Sequence, residues 1–310
     1  MKNLFIVALG VASVAPAFAS YEVLLVSDNS TKSVHRFDPI SGAYLGNFGG
    51  GFLTGALDVA VNQSLGLAYI RENSTTVQVF NYSTGIAVNK YTLPGSDIEV
   101  ASDGSLLTST STTAISHFSA AGGFIENWSA PSGFTFGGVA QASPGYAATW
   151  LVSPSVQSIS VYKFGSPTLF SSIPATGYGT TIRAVSGNAN GLLAVSNDST
   201  VGRIANWTGM ANGIYANTFG YGSLSPDLLT VTGATFGHGA YAYACGLSVA
   251  DVTKGLISRF DRTVAGGFSL STFGSAYLKN PTGMASVVAP EPTTLVVLGL
   301  GALALRRRRR

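Results

Sequence analysis

The stretch that decides the fold is VLLVSDNSTKSVHRFDPISGAYLGNFG, residues 23–49. It holds an apolar segment at residues 23–26 and two segments ending in aromatic residues, 34–37 and 44–48. Short apolar or alternating segments of this kind are typical of β-strands with a buried face. The Ser, Asn, Asp and Gly residues between them favour turns, because glycine adopts positive φ angles without strain. The stretch therefore predicts three antiparallel strands joined by short turns.

The same three-strand pattern recurs along the chain. Its first strands begin 43, 39, 41, 45 and 49 residues apart. Repeats of ~40–45 residues with several strands each are typical of β-propeller blades. The first strands begin at Leu24, Leu67, Leu106, Ala147, Leu192 and Tyr241; the second end at Phe37, Phe80, Phe118, Phe164, Trp207 and Phe260; and the third close at Phe48, Tyr91, Trp128, Phe170, Phe219 and Phe273.

A fourth strand is predicted between successive units, and these strands would lie innermost. They are expected at residues 57–61, 98–101, 138–142, 182–185, 228–232 and 283–287. Since no unit follows the last of them, we expect it to pair with the first unit and close the ring, which removes exposed sheet edges. The predicted fold is all-β, a six-bladed β-propeller of four-stranded blades over residues 20–289. A pair of β-sandwiches or a solenoid is the alternative.

The turn sequence DPISG at residues 38–42 and NFG at residues 47–49 complete the pattern of the first unit. With these motifs the body resembles NHL-like and lyase-like six-bladed β-propellers. The resemblance covers residues 21–288 and implies the propeller fold.

The N-terminus has the features of an export signal. Lys2 precedes an apolar run at residues 4–14, and small residues stand at Ala17 and Ala19. Signal peptidase recognises this order, so we predict a signal peptide at residues 1–19 that is cut after Ala19.

The C-terminal residues 290–310 combine three features. Pro290, Glu291 and Pro292 precede an apolar segment at residues 295–305, and Arg306–Arg310 end the chain. This order resembles the PEP-CTERM sorting signal of Gram-negative bacteria, which implies a transient inner-membrane anchor recognised and cut by an exosortase-type enzyme. A hydrophobic sorting helix is expected here, although the segment is short for a ~30 Å hydrocarbon core. The arginines should stay cytoplasmic, which places the body outside that membrane. A tail anchor that is never cleaved is the alternative.

The composition excludes some function classes. The chain has a formal net charge of +3, but five of its 17 basic residues form the arginine end. Without that end, Lys2 and Glu291, the body carries a net charge of about −2 and offers no basic face for nucleic acid. The single cysteine, Cys245, lies in an apolar run and is predicted to be a small core residue.

Candidate chemistry in the body is sparse. Asp58, Glu99, Gln141 and Arg183 are the polar residues that the predicted innermost strands offer. Two carboxylates could help hold Ca²⁺, but Arg183 would oppose a cation, and channel lining is the simpler interpretation. The sequence predicts no catalytic residue, metal site or cofactor.

The three histidines are dispersed along the chain. His35 and His117 each lie just before an aromatic residue of their units and are interpreted as equivalent surface positions. His238 lies in a predicted loop.

The sequence therefore predicts an exported cell-surface or matrix protein with a non-catalytic binding propeller. Its expected partners are signal peptidase, an exosortase-type enzyme, and extracellular polysaccharide or a surface protein. A metal-dependent propeller hydrolase or lyase, similar to a lactonase, is the alternative.

Overall fold

The fold was analysed in a computed structural model. The structure describes residues 20–152, 157–166, 168–174, 181–188, 191–198, 201–211, 214–225, 227–237, 241–261 and 270–290. Residues 22–288 form one compact unit, and residues 1–21 and 289–310 are assigned to a second. The described residues include no helix able to cross a membrane, and the predicted sorting helix lies beyond them.

Strands paired antiparallel with their chain neighbours build five of the sheets. Each of these five sheets contains four strands that are consecutive in the sequence. They are β4 (Asp58–Asn62), β5 (Leu67–Arg71), β6 (Thr76–Asn81) and β7 (Ala87–Thr92); β8 (Glu99–Val100), β9 (Leu106–Ser111), β10 (Ala114–Phe118) and β11 (Phe124–Ser129); β12 (Thr135–Ser143), β13 (Tyr146–Val152), β14 (Gln157–Lys163) and β15 (Leu169–Pro174); β16 (Thr181–Asn188), β17 (Gly191–Asp198), β18 (Val201–Ala211) and β19 (Ile214–Ser225); and β20 (Leu228–Phe236), β21 (Tyr241–Ser248), β22 (Gly255–Asp261) and β23 (Ser271–Phe273).

The remaining sheet joins the two ends of the body. Its strands are β1 (Ser20–Asp28), β2 (Ser33–Phe37), β3 (Tyr44–Phe48) and β24 (Pro281–Pro290), in the order β24-β1-β2-β3. The side chain of Ser27 in β1 donates a hydrogen bond of 3.1 Å to the Gly283 carbonyl in β24. The all-β propeller class and the pairing of the C-terminal strand with the first unit, both predicted from the sequence, are confirmed. The predicted count of six blades is corrected to five blades of four consecutive strands, because the remaining sheet is a composite that takes β24 from the other end of the body.

The hydrophobic core lies between neighbouring sheets. One cluster joins the composite sheet to the β20–β23 sheet and includes Leu24, Phe37, Tyr243, Cys245 and Ile257, all fully buried. Similar clusters lie between the β4–β7 and β8–β11 sheets and between the β8–β11 and β12–β15 sheets. The prediction that Cys245 is a core residue is confirmed, and burial raises the pKa of its thiol to about 12.

The recurring spacing of turn glycines and closing aromatics has a packing reason. In the β2–β3 turn, the amides of Ile40 and Ser41 each donate a 2.8 Å hydrogen bond to Asp38 Oδ1, and Gly42 follows with φ = 72°. A Cβ atom on Gly42 would lie 2.9 Å from Cβ of Phe273, the closing aromatic of the β20–β23 sheet. The turn therefore needs glycine for its backbone and for the aromatic ring packed against it.

The next unit repeats this contact. Gly85 has φ = 71°, and a Cβ atom there would lie 2.8 Å from Cβ of Phe48. Phe273 and Phe48 thus each pack against the turn glycine of the following sheet, which links these adjacent units.

Candidate functional site

A cavity lies among the six innermost strands, β4, β8, β12, β16, β20 and β24. Its volume is about 560 Å³, within the range of ~300–1,000 Å³ typical of small-molecule sites. All six strands contribute to its lining, and so do the turns that follow β4 and β8. The polar lining residues are Asn62, Gln63, Ser64, Glu99, Ser102, Asp103, Gln141, Thr235 and Ser286.

The innermost strands are tied together by aspartates at their starting ends. Asp58 Oδ1 accepts a 2.8 Å hydrogen bond from the amide of Val59 in its own strand, and Oδ2 accepts one of 2.9 Å from the amide of Ile98 in the next unit. Asp97 repeats the arrangement, accepting from Ile98 at 3.1 Å and from Val139 at 2.8 Å. Asp58 and Asp97 are not among the described residues that line the cavity. Their oxygens clamp one sheet to the next.

The Asp97 carboxylate influences the charge of Asp58. Burial raises the pKa of Asp58 well above its usual range, and the neighbouring Asp97 carboxylate acts in the same direction. The buried guanidinium of Arg71 donates to the carbonyl oxygens of Leu93 and Asp97, the latter at 3.2 Å. Burial lowers the pKa of Arg71 to about 10, against the attraction of Asp58 and Asp97. Asp58 therefore favours its neutral form, and its hydrogen bonds to the amides of Val59 and Ile98 give it a structural role.

Glu99 is one of the two carboxyl groups in the described cavity lining, and Asp103 is the other. Glu99 lies two residues beyond Asp97, as Ala60 lies two residues beyond Asp58. Burial raises the pKa of Glu99 to about 8, and the Asp97 carboxylate adds to this, against a hydrogen bond from the Val100 amide. At neutral pH Glu99 is therefore mostly a neutral acid that can donate one hydrogen bond.

Several polar lining residues are held by defined contacts. Gln141 Nε2 donates a 2.8 Å hydrogen bond to Ser102 Oγ in the neighbouring sheet. Asn62 Oδ1 accepts from Ser64 Oγ at 2.8 Å and from the Leu65 amide at 3.2 Å. These contacts fix side-chain orientation before any ligand arrives, which lowers the entropy cost of binding.

A chain of hydrogen bonds runs from the cavity into the blade. Asp103 Oδ1 accepts from the amide of Ser105 at 2.9 Å and from its hydroxyl at 2.5 Å. Ser105 Oγ lies 2.7 Å from His117 Nε2, and His117 Nδ1 lies 3.1 Å from Glu126 Oε1. Both carboxylate oxygens of Glu126 accept from the Gly165 amide of the next sheet, at 3.0 Å.

This chain has the connectivity of a Ser-His-acid triad but lacks an available nucleophile. Ser105 is buried, is not among the described cavity-lining residues, and gives its proton to Asp103 rather than to His117. Burial would raise the pKa of Asp103, but the hydrogen bonds from Ser105 outweigh it and lower that pKa. An ionised Asp103 keeps the hydroxyl engaged, so the chain positions side chains and does not activate a serine.

The prediction that His35 and His117 are equivalent surface residues is wrong. Both are buried, with 4% of each exposed. Strand pairing aligns Phe37 with Leu24 and Phe118 with Leu106, so these two aromatic residues occupy equivalent positions. His35 lies two residues before Phe37, whereas His117 lies directly before Phe118. Successive residues of a strand face opposite sides. His35 accordingly has different partners, with Nε2 2.9 Å from Thr31 Oγ1, and burial lowers its pKa.

The structure separates the four polar residues predicted on the innermost strands. Glu99 and Gln141 line the cavity, whereas Asp58 belongs to the inter-sheet clamp. Arg183 lies in β16 at a break in the pairing register, between Ile182 and Ala184. Among the described residues, no group of three or more His, Cys, Asp or Glu side chains is placed to hold a metal ion.

Other predicted positions lie outside the described residues. They are the signal-peptide positions Ala17 and Ala19, His238, and the motif residues Glu291 and Pro292. Sequence reasoning missed Asp97, Asp103, Ser105 and Glu126. Asp97 alone carried a signal, because its spacing from Asp58 is within the blade repeat.

The last strand leads directly into a recognisable signal. The protein-family model for the PEP-CTERM protein-sorting motif matches residues 288–310. Residues 288–310 are a PEP-CTERM protein-sorting motif. Such a motif implies an exported protein with a C-terminal membrane-anchoring signal that an exosortase processes. Val288, the first residue of the PEP-CTERM match, also lines the cavity, so the signal begins within β24.

Known structures share the fold of the body at low identity. A protein of unknown function from Bacteroides caccae is 12% identical with a TM-score of 0.59, covering 86% of this chain and 99% of its own. A functionally unknown protein from Desulfotomaculum acetoxidans is 12% identical with a TM-score of 0.53 and the same coverage. Hydrazine synthase of Kuenenia stuttgartiensis is 14% identical with a TM-score of 0.50, covering 77% of this chain and 73% of its own. No curated protein matches in sequence.

Proposed function

We propose that the protein acts at the cell surface or in the extracellular matrix as a non-catalytic binding propeller. In this proposal, signal peptidase removes residues 1–19, and an exosortase-type enzyme cuts near Pro290, Glu291 and Pro292 after transient anchoring in the inner membrane. The PEP-CTERM motif supports the export part of the proposal. Extracellular polysaccharide or another surface protein would be the partner.

The observation that carries the binding role is the cavity itself. Each innermost strand contributes to its lining, and polar side chains such as Gln141 and Asn62 are already held in place by hydrogen bonds. A concave site with a few fixed polar groups suits recognition of a ligand. Of the two carboxyl groups in the described lining, Asp103 is engaged by Ser105, which supports a binding role over a catalytic pair with Glu99.

The binding role is tested by substituting the cavity wall and following the protein's place at the surface. Exported Gln141→Ala protein should be shed from washed cells at least tenfold more readily than wild type. The matched control is Gln78→Ala, a glutamine on the exposed side of β6 that bonds to the Asn89 carbonyl. Equal retention of all three proteins would contradict a binding role for the cavity.

A metal-dependent hydrolase or lyase is the second candidate. Glu99 favours it, because an acid with a pKa of about 8 suits proton transfer near neutral pH. A metal bound by the native state should raise the melting temperature of the full chain. If saturating Ca²⁺, Mg²⁺ and Zn²⁺ leave that temperature unchanged, this candidate loses its support.

A further inference from the structure

Resting on the proposed binding role, we infer that the cavity takes an uncharged, hydroxyl-rich ligand such as a segment of a neutral glycan, with Glu99 as a contact. The inference concerns the class of ligand and the residue that selects it. It is carried by the charges in the cavity, the arrangement of its polar and apolar walls, and the position of Glu99.

The charges in the cavity favour a neutral ligand. Among the described lining residues, Glu99 and Asp103 are the ionisable groups, and none is basic. An anionic ligand would meet these carboxyl groups without a compensating cation, which disfavours it. A cationic ligand would find one charge to pair with, Asp103, whose Oδ1 already accepts two hydrogen bonds from Ser105, because Glu99 is mostly neutral at pH 7.

The cavity walls carry both polar and apolar side chains, which match the polar edge and the apolar faces of a sugar ring. Amide and hydroxyl groups of Gln63, Gln141 and Ser286 lie in the lining together with the apolar side chains of Val61 and Met284. Each amide has two N–H donors and one carbonyl acceptor, so the single hydrogen bond from Gln141 to Ser102 leaves capacity for a ligand. Mixed polar and apolar walls suit a ring with hydroxyls at its edge and C–H groups on its faces.

Glu99 couples ligand binding to protonation. A ligand that fills the cavity expels water around Glu99, and burying an ionised carboxylate without a cation is costly. Binding therefore favours the neutral acid, which can donate a hydrogen bond to a ligand hydroxyl. Above pH 8 the ligand must bind together with a proton, so its affinity should fall about tenfold for each further pH unit.

The experiment is isothermal titration calorimetry on the full chain in mild detergent. The probes are three neutral hexasaccharides (cellohexaose, maltohexaose and chitohexaose) and the anionic hexagalacturonate. Wild type should bind at least one neutral probe at pH 6.5, with at least tenfold weaker binding at pH 9.5 and no measurable binding of hexagalacturonate.

Two variants assign the effect to Glu99. Glu99→Gln keeps a neutral hydrogen-bonding group and should bind equally at both pH values, whereas Glu99→Ala should bind at least tenfold more weakly at pH 6.5. Asp251→Asn, at an exposed acid that is not among the described cavity-lining residues, should behave as wild type. Circular dichroism at both pH values shows that each variant is folded.

Three results would overturn the inference. They are failure of every neutral probe to bind wild type, preferred binding of hexagalacturonate, and neutral-probe binding that Glu99→Ala leaves unchanged. The surface-retention test with Gln141→Ala is independent of these probes. If Gln141→Ala protein is no longer retained at the surface and wild type binds no neutral probe, the ligand class is rejected while the binding role is supported.

Discussion

A carboxylate oxygen of Asp58 occupies the space in which a side chain on Gly283 would begin. Asp58 starts β4 and Gly283 lies in β24, so this contact joins the composite sheet to the unit that follows it. On the other side of β24, a Cβ atom on Gly233 would lie 2.9 Å from Cα of Gly283. Glycine at both positions lets innermost strands approach closely where the two ends of the body meet.

Gly283→Ala should therefore destabilise the protein. Its methyl group would displace Asp58, which would lose its hydrogen bonds to Val59 and Ile98, and overpacking of this kind costs ~1–3 kcal/mol. Urea unfolding gives the change. Gly50→Ala is the control, because a Cβ atom there meets nothing within 4 Å. Equal stability of the two variants would refute the close approach.

Asp28→Ala tests the other side of the closure. Asp28 is fully buried, and its Oδ2 accepts hydrogen bonds from the amides of Lys279 at 2.6 Å and Asn280 at 3.0 Å. Removing the carboxylate leaves these donors without their acceptor, so we expect a loss of about 2–4 kcal/mol and faster hydrogen exchange at both amides. Asp251→Ala removes a similar turn carboxylate at an exposed site and should change little. Unchanged exchange at Lys279 and Asn280 would contradict this role.

The sequence predicted the strands of the propeller well. The innermost strand expected at residues 283–287 lies within β24, and that expected at 57–61 overlaps β4, because alternation and turn residues are local signals. The burial of His117 was not predictable in this way. Its partners are Ser105, which directly precedes β9, and Glu126 in β11, and the ring of Phe164, 4.4 Å from its own, comes from the next unit.

Contacts between units explain what remained hidden at the site. Asp58 was recognisable as a polar residue on an innermost strand, but its acceptor role depends on an amide 40 residues away, at Ile98. Cavity lining likewise depends on which end of a strand faces the open space. Glu99 and Asp58 were therefore grouped from the sequence, although only Glu99 lines the cavity.

Glu99→Gln should change how stability depends on pH. The folded-state pKa of about 8 lies above the ordinary value of 4.5, so the wild-type protein loses stability as pH rises from about 4.5 to 8. The loss is ~1.4 kcal/mol per pKa unit before solvent screening reduces it. The variant should be less affected over this range and more stable than wild type at pH 9. Urea unfolding at pH 5, 7 and 9 tests this, and parallel pH profiles would exclude a raised pKa.

Removal of the tail should leave the propeller intact, whereas removal of β24 should not. A chain ending at Pro290 keeps the hydrogen bond of 2.6 Å from Thr282 Oγ1 to the Ala56 carbonyl and the buried Met284. We expect its melting temperature to match that of the full chain. A chain ending at Asn280 lacks the innermost strand of the composite sheet and should show no cooperative thermal unfolding. Cooperative unfolding of the shorter chain at the same temperature would show that β24 is dispensable.

The central claim, export followed by C-terminal processing, is tested most directly by the intact mass of the protein collected from the cell exterior. We predict a chain that begins at Ser20 and has lost the apolar segment 295–305 together with Arg306–Arg310. Replacing Pro290, Glu291 and Pro292 with alanine should leave the uncut form in the membrane. A native protein recovered from the cytoplasm with Met1 and Arg310 both present would contradict the claim.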